Sequence, residues 1–153
     1  MELSRIIISE TNQEQIIVLK EVGGARAFPI VIGIWEAVAI DRNIKQRQTP
    51  RPMTHDLLEN VIRGLDGNLE RIIVNDLRDR TFFAKLVLRK NGKVVEVDSR
   101  PSDAIALAVQ MKVPIYVEEK VLKDLTTSSS TPDFEPPKEY DPGSAGEEEA
   151  EDE

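Results

Sequence analysis

The chain contains no cysteine in its 153 residues. That removes disulfide scaffolds, thiolate zinc sites and cysteine nucleophiles together, and it fits a reducing compartment. It has a single histidine, so no pair of imidazoles can hold a metal. Aromatic residues make up 5%, and none is interleaved with the basic residues in the way that reads out single-stranded bases. There is no glycine-rich loop to cradle phosphate and no Ser-His-Asp order. No stretch approaches the roughly 18–20 apolar residues of a membrane span. The opening MELSRIIISE holds only a short apolar run between Glu2 and Glu10, without the basic start and long apolar stretch of a signal peptide. The expected address is the cytoplasm, with no membrane partner.

The net charge of −8 argues at first against nucleic acid, but it is unevenly spread. Residues 1–125 hold 19 Lys+Arg against 18 Asp+Glu, hence +1. Residues 126–153 hold Lys138 against 10 acids, hence −9. The second segment is rich in Pro, Ser and Gly and shows no apolar period, so it cannot bury enough surface to offset its ordering entropy. The chain therefore divides into a domain over 1–125 and a disordered acidic tail over 126–153. The tail is read as solubilising; the sharper alternative is a nucleic-acid mimic competing for a basic groove. The near-neutral domain leaves that partner open.

Within the domain, Leu3–Ser9 and Gln15–Lys20 read as strands around a Glu10-Thr11-Asn12 turn, followed by Arg26–Ile32. Pro29 marks the third strand as an edge or a bulge. IWEAVAIDRNIKQ reads as a helix, and a second runs from about His55 to Arg63 with Thr54 as its N-cap. The pattern then restarts. Leu69–Asn75, Thr81–Lys90 and Lys93–Asp98 read as strands, the last two joined by an Asn91-Gly92 hairpin. Ser99–Val109 is a helix with Pro101 in its first turn. Pro114–Val117 and a short helix close the domain. Glu2–Ile8 matches Asn68–Val74 at an offset of 66, and Trp35–Ile40 matches Ser102–Leu107 at an offset of 67. Two matches at nearly one offset predict a duplicated β-β-β-α unit. Ala104–Val109 is apolar on every side and Ala37–Ile40 nearly so, which places these helices between sheets. The expected fold is α+β, in sheet, helix and sheet layers around a largely buried helix.

Three constellations could carry chemistry. Arg51-Pro52-Met53-Thr54-His55-Asp56 sets an arginine, an imidazole and a carboxylate at a helix N-terminus, which favours an anion such as phosphate. His55 would be a general acid or base, Asp56 a metal ligand and Arg51 a phosphate clamp; a capped helix start explains the same residues. Asp98-Ser99-Arg100-Pro101-Ser102-Asp103 brackets an arginine with two carboxylates. These form either a structural ion pair, since an unpaired buried carboxylate is costly, or oxygen ligands for Mg²⁺ or Mn²⁺. Glu36, the repeat partner of Asp103, would meet it near a pseudo-two-fold axis, as paired catalytic acids or as two helix-start acids. Arg42, Lys45, Arg47 and Arg51 form the best candidate groove for a phosphate backbone, though a solvated helix end accounts for them equally.

The motifs Arg51-Pro-x-Thr-His-Asp-Leu57 and Asp98-x-Arg-Pro-Ser-Asp-Ala-Ile-Ala-Leu-Ala108, with Phe28–Ala37 and Thr81–Ala84, resemble the bifunctional nuclease domain family over about residues 1–125. The resemblance implies a duplicated α+β fold and, for some plant members, hydrolysis of both RNA and DNA. It brings no settled catalytic set. The expectation is a metal-assisted phosphodiesterase of low sequence selectivity, with Asp98, Asp103 and Glu36 on Mg²⁺ or Mn²⁺, and His55, Asp56, Arg100 and Asp103 as catalytic groups. The alternative is a non-enzymatic anion-binding or regulatory oligomeric module. Edge strands suggest a homodimer.

Overall fold

The computed structural model describes residues 2–7 and 14–127. The first hairpin turn and residues 128–153 of the acidic tail, with the readings made of them, lie outside the described residues; Thr126 and Thr127 are the last residues of a helix.

Strands β1 (Glu2–Ile7), β2 (Glu14–Lys20) and β3 (Ala27–Gly33) form an antiparallel meander. It leads into α1 (Ile34–Ile44), and α2 (Thr54–Gly64) follows after a loop. The second meander is β4 (Asn68–Arg78), β5 (Thr81–Lys90) and β6 (Lys93–Ser99), leading into α3 (Pro101–Met111). Strand β7 (Ile115–Val117) then adds parallel to β4, and α4 (Glu119–Thr127) ends the described fold. The sheet orders are β1-β2-β3 and β6-β5-β4-β7. The mixed α+β architecture and the repeated β-β-β-α order match the sequence reading. Pro29 lies on β3, an edge strand, where its missing N–H does not interrupt a ladder on both sides. Asn91 and Gly92 both take positive φ, +50° and +74°, as a tight hairpin of this type requires.

Helix α1 packs on the first sheet, α3 on the second, and the two helices pack on each other. One apolar core joins them: Ile17, Leu19 and Ile30 from the first sheet, Ile72, Val74 and Leu86 from the second, and Ile40, Ile105 and Leu107 from the helices. The sheets also touch directly where the Phe28 and Phe82 rings stack at 5.7 Å. Helix α3 is buried from Ala104 to Ala108, as an all-apolar helix must be. Helix α1 departs from the sequence reading. Ala37 and Ile40 are buried, but Val38 is half exposed and Trp35 is 80% exposed. A run of apolar letters therefore does not mean burial on all sides here, because α2 and sheet two cover α3 without covering the outer face of α1. Among the described residues no helix is long and apolar enough to cross a membrane.

Candidate functional site

The duplication sets the geometry of the site. Residues 67 apart meet across the α1–α3 contact. At one end, Glu36 and Asp103 both bind Arg100, through Nη2 to Glu36 Oε1 at 2.7 Å and Nε to Asp103 Oδ2 at 2.8 Å. At the other, Asn43 Nδ2 donates to Gln110 Oε1 at 3.2 Å. The helices thus run parallel with their N-termini together. The anticipated convergence of the two repeat-related carboxylates takes place, with a guanidinium between them. Each carboxylate sits in the first turn of its helix, where the positive end of the dipole favours it. Arg100 is 66% exposed, and its charge is held more firmly than usual by the hydrogen bonds it donates to Asp103 and then Glu36.

His55 completes the cluster. It is the one buried residue of α2, and its Nε2 lies 3.0 Å from Asp103 Oδ1. An ionised carboxylate can only accept, so neutral His55 carries its proton on Nε2 and leaves a lone pair on Nδ1. Asn75 Oδ1 is the single buried, unpartnered side-chain polar atom among the described residues. Nδ1 of His55 makes no hydrogen bond to another described residue. Asp103 spends one oxygen on His55 and the other on Arg100, giving a connected row of Glu36, Arg100, Asp103 and His55.

Asp56 does different work from that expected of a metal ligand. Both its oxygens lie 3.0 Å from Arg42 Nη2, and Oδ2 also accepts the Met53 N–H at 2.9 Å. Burial opposes its charge, but the Arg42 hydrogen bond and the Met53 N–H hold its pKa below the usual carboxylate value. It caps α2 from the third helical position and ties that helix to α1. Met53, not Thr54, is the N-cap; Thr54 is already helical.

The expected metal set is not assembled. Among the described residues no three His, Asp or Glu side chains gather to hold an ion. Asp98 lies exposed on β6 opposite Lys85, with no ion pair of its own. Glu36 and Asp103 are bridged by Arg100, which occupies the place between them that a cation would take.

A cleft of about 550 Å³ opens at the other end of the helix pair, lined in part by Arg42, Arg47, Arg51, Gln110 and Lys112. Three of the four basic residues expected in a groove are therefore there. Lys45 is not, being paired with Asp41 at 3.0 Å. Lys112, Asn43 and Gln110 escaped the sequence reading, although Gln110 stands at the same 67-residue offset from Asn43 as Asp103 from Glu36. The first turn of α2 links the two places, since His55 reaches Asp103 while Asp56 lines the cleft. Gln110 stands seven positions after Asp103 on the helix, about 10 Å along the axis.

A family model described as the bifunctional nuclease domain matches residues 17–130. An uncharacterized protein of Mycobacterium tuberculosis is 39% identical over 117 residues, 76% of this chain and 70% of that one. Bifunctional nuclease 2 of Oryza sativa subsp. japonica is 30% identical over 118 residues, 74% of this chain and 36% of that protein. Bifunctional nuclease 1 of Arabidopsis thaliana is 31% identical over 107 residues, 67% of this chain and 33% of that protein. The chain thus spans about a third of the plant relatives it matches.

Proposed function

The chain belongs to the bifunctional nuclease domain family, and on that premise we propose that it hydrolyses phosphodiester bonds of RNA, DNA or both with low sequence selectivity. The observation that carries this reading is His55: buried and held through Nε2 by Asp103, with Nδ1 not hydrogen-bonded to any described residue. Nδ1 takes a proton from the attacking water, and the imidazolium formed is stabilised by Asp103. The same proton then passes to the leaving oxygen as the P–O bond breaks. Arg100, two-thirds exposed and held by two carboxylates, turns its free N–H groups to the phosphate and offsets the charge that grows on its oxygens. The cleft beyond holds neighbouring phosphates on Arg47 and Lys112, contacts that carry no sequence information. The metal assistance expected from the acids is not needed for these steps, and a cation entering between Glu36 and Asp103 would have to displace Arg100.

The test is cleavage of single-stranded RNA and DNA by the purified chain, beside His55→Gln and Asp103→Asn, with Mg²⁺, Mn²⁺ or chelator. Loss of activity in both variants, with the fold intact by circular dichroism, supports the assignment. Undiminished cleavage by Asp103→Asn would remove it. Binding of nucleic acid without cleavage under every condition would favour the anion-binding module instead.

A further inference from the structure

Helix α2 faces the wrong way for a surface helix. Its inward side carries His55 and Glu59, bound to Asp103 and Gln110, with half-buried Ile62. Its outward side carries Leu57, Leu58, Val61 and Leu65, preceded by the N-cap Met53; these five are between 41% and 61% exposed. Met53, Leu57, Val61 and Leu65 follow at four-residue spacing with Leu58 beside them, so they form one continuous stripe. Scattered exposed aliphatics are ordinary, but a whole helical stripe turned to solvent while the polar side is used inward is not.

We propose that this stripe is the centre of a homodimer interface in which α2 packs antiparallel against α2 of a second copy. A two-fold axis makes one patch serve both partners. With the axis beside the middle of the stripe, Met53 faces Leu65 and Leu57 faces Val61. The same register sets Arg51 of each copy opposite Asp66 of the other. Neither of these exposed side chains has an ion pair with another described residue, and they carry opposite charge at opposite ends of the stripe. Antiparallel helices also bring the positive dipole end of one to the negative end of the other. The acidic tail is the poorer occupant, because the stripe itself bears no cation to attract its 10 acids. At roughly half exposure each, five such side chains supply on the order of 400 Å² per partner, about half of a standard interface side and the share expected of its apolar core. The proposed pairing uses a different surface from the edge strands considered from sequence.

The experiment is sedimentation velocity of the full chain across a concentration series, with Val61→Glu, Arg51→Glu, Asp66→Lys and the last two combined. A dimer is expected, shifted to monomer by Val61→Glu with unchanged circular dichroism. Each single charge reversal is expected to weaken the dimer at least tenfold, and the pair to recover most of that loss. Asp66 has a φ of +60°, so Asp66→Lys strains the backbone. The double variant bears the same strain, and its recovery therefore reports the charge pairing alone. A chain monomeric at every concentration, a dimer indifferent to Val61→Glu, or a double variant no better than its singles would each overturn the proposal. So would a monomer that dimerises only when residues 128–153 are removed, which would assign the stripe to the tail.

Discussion

Helices α1 and α3 follow equivalent strands in the two β-β-β-α units and are capped at equivalent positions, yet their N-termini do opposite things. Gly33 caps α1 and Arg100, 67 residues on, caps α3. Arg100 throws a guanidinium across to both first-turn acids. Gly33 does the reverse by having no side chain: a Cβ there would collide with the Glu36 carboxylate. The two acids are therefore not equivalent. Asp103 holds a histidine as well as the arginine; Glu36 holds the arginine alone. The candidate site gathers where the repeats differ, while the strands and the helix contact keep the shared letters.

The strongest way to break the comparison is to neutralise each acid in turn. Asp103→Asn can still hold His55 in place but no longer stabilises its cationic form. A loss in kcat of about 10²–10⁴ is expected, the range of general acid–base catalysis. Glu36→Gln touches His55 only through Arg100 and Asp103, so a loss of about tenfold or less is expected. Equal losses in a side-by-side cleavage assay would mean that the acids act as a pair and that the asymmetry carries no function.

Helix α2 is tethered to α1 by Asp56. Replacing Asp56 with Asn weakens a part-buried pair and a helix cap, together about 1–2 kcal/mol after discounting for solvent. The folded pKa of Asp56 lies below its ordinary 3.8. Its contribution is thus fully present above that value and is lost as pH falls through the folded pKa. Urea unfolding of the two proteins should differ near pH 7 and converge well below pH 3.8. A constant difference at all pH values would mean that the charge on Asp56 is not what tethers α2.

Much of this was legible in the letters. Apolar alternation, Asn91-Gly92 and Pro101 placed strands, a hairpin and a helix start, because these depend on local chemistry. The 67-residue offset foretold that Glu36 and Asp103 would meet. What the sequence could not show was direction. Nothing in Asp56 says that it turns to Arg42, and nothing in Asp98 says that β6 leaves it at the surface. His55 and Asp103, 48 residues apart, meet only because α2 lies across α3. Val38, in a run read as buried, is half exposed, since composition does not report which side of a helix the rest of the molecule covers.

Gly33 offers a finer cut. Gly33→Ala adds one methyl group that must push the Glu36 carboxylate away, freeing one side of Arg100 while leaving Asp103 and His55 joined. The backbone of Gly33 is extended, at φ −76° and ψ 161°, so alanine fits it without torsional strain. Cleavage is expected to fall only about as far as in Glu36→Gln, and the two changes combined should cost no more than either alone. Additive losses would show that Gly33 acts by another route.

The smallest contrast lies at the far ends of the same helices. Lys45 and Lys112 stand at the 67-residue offset, each as the C-cap of its helix, but only Lys112 lines the cleft. Lys45 leans on Asp41 in an exposed pair worth only a few tenths of a kcal/mol. If the cleft carries the phosphate backbone, Lys112→Asn should lower the slope of log binding constant against log salt by about one. Asparagine suits this test because Lys112 is left-handed, at φ +56°, a conformation asparagine tolerates. Lys45→Ala should leave the slope unchanged. The reverse result would move the phosphate path from the cleft to the outer face of α1, past Trp35 and Val38.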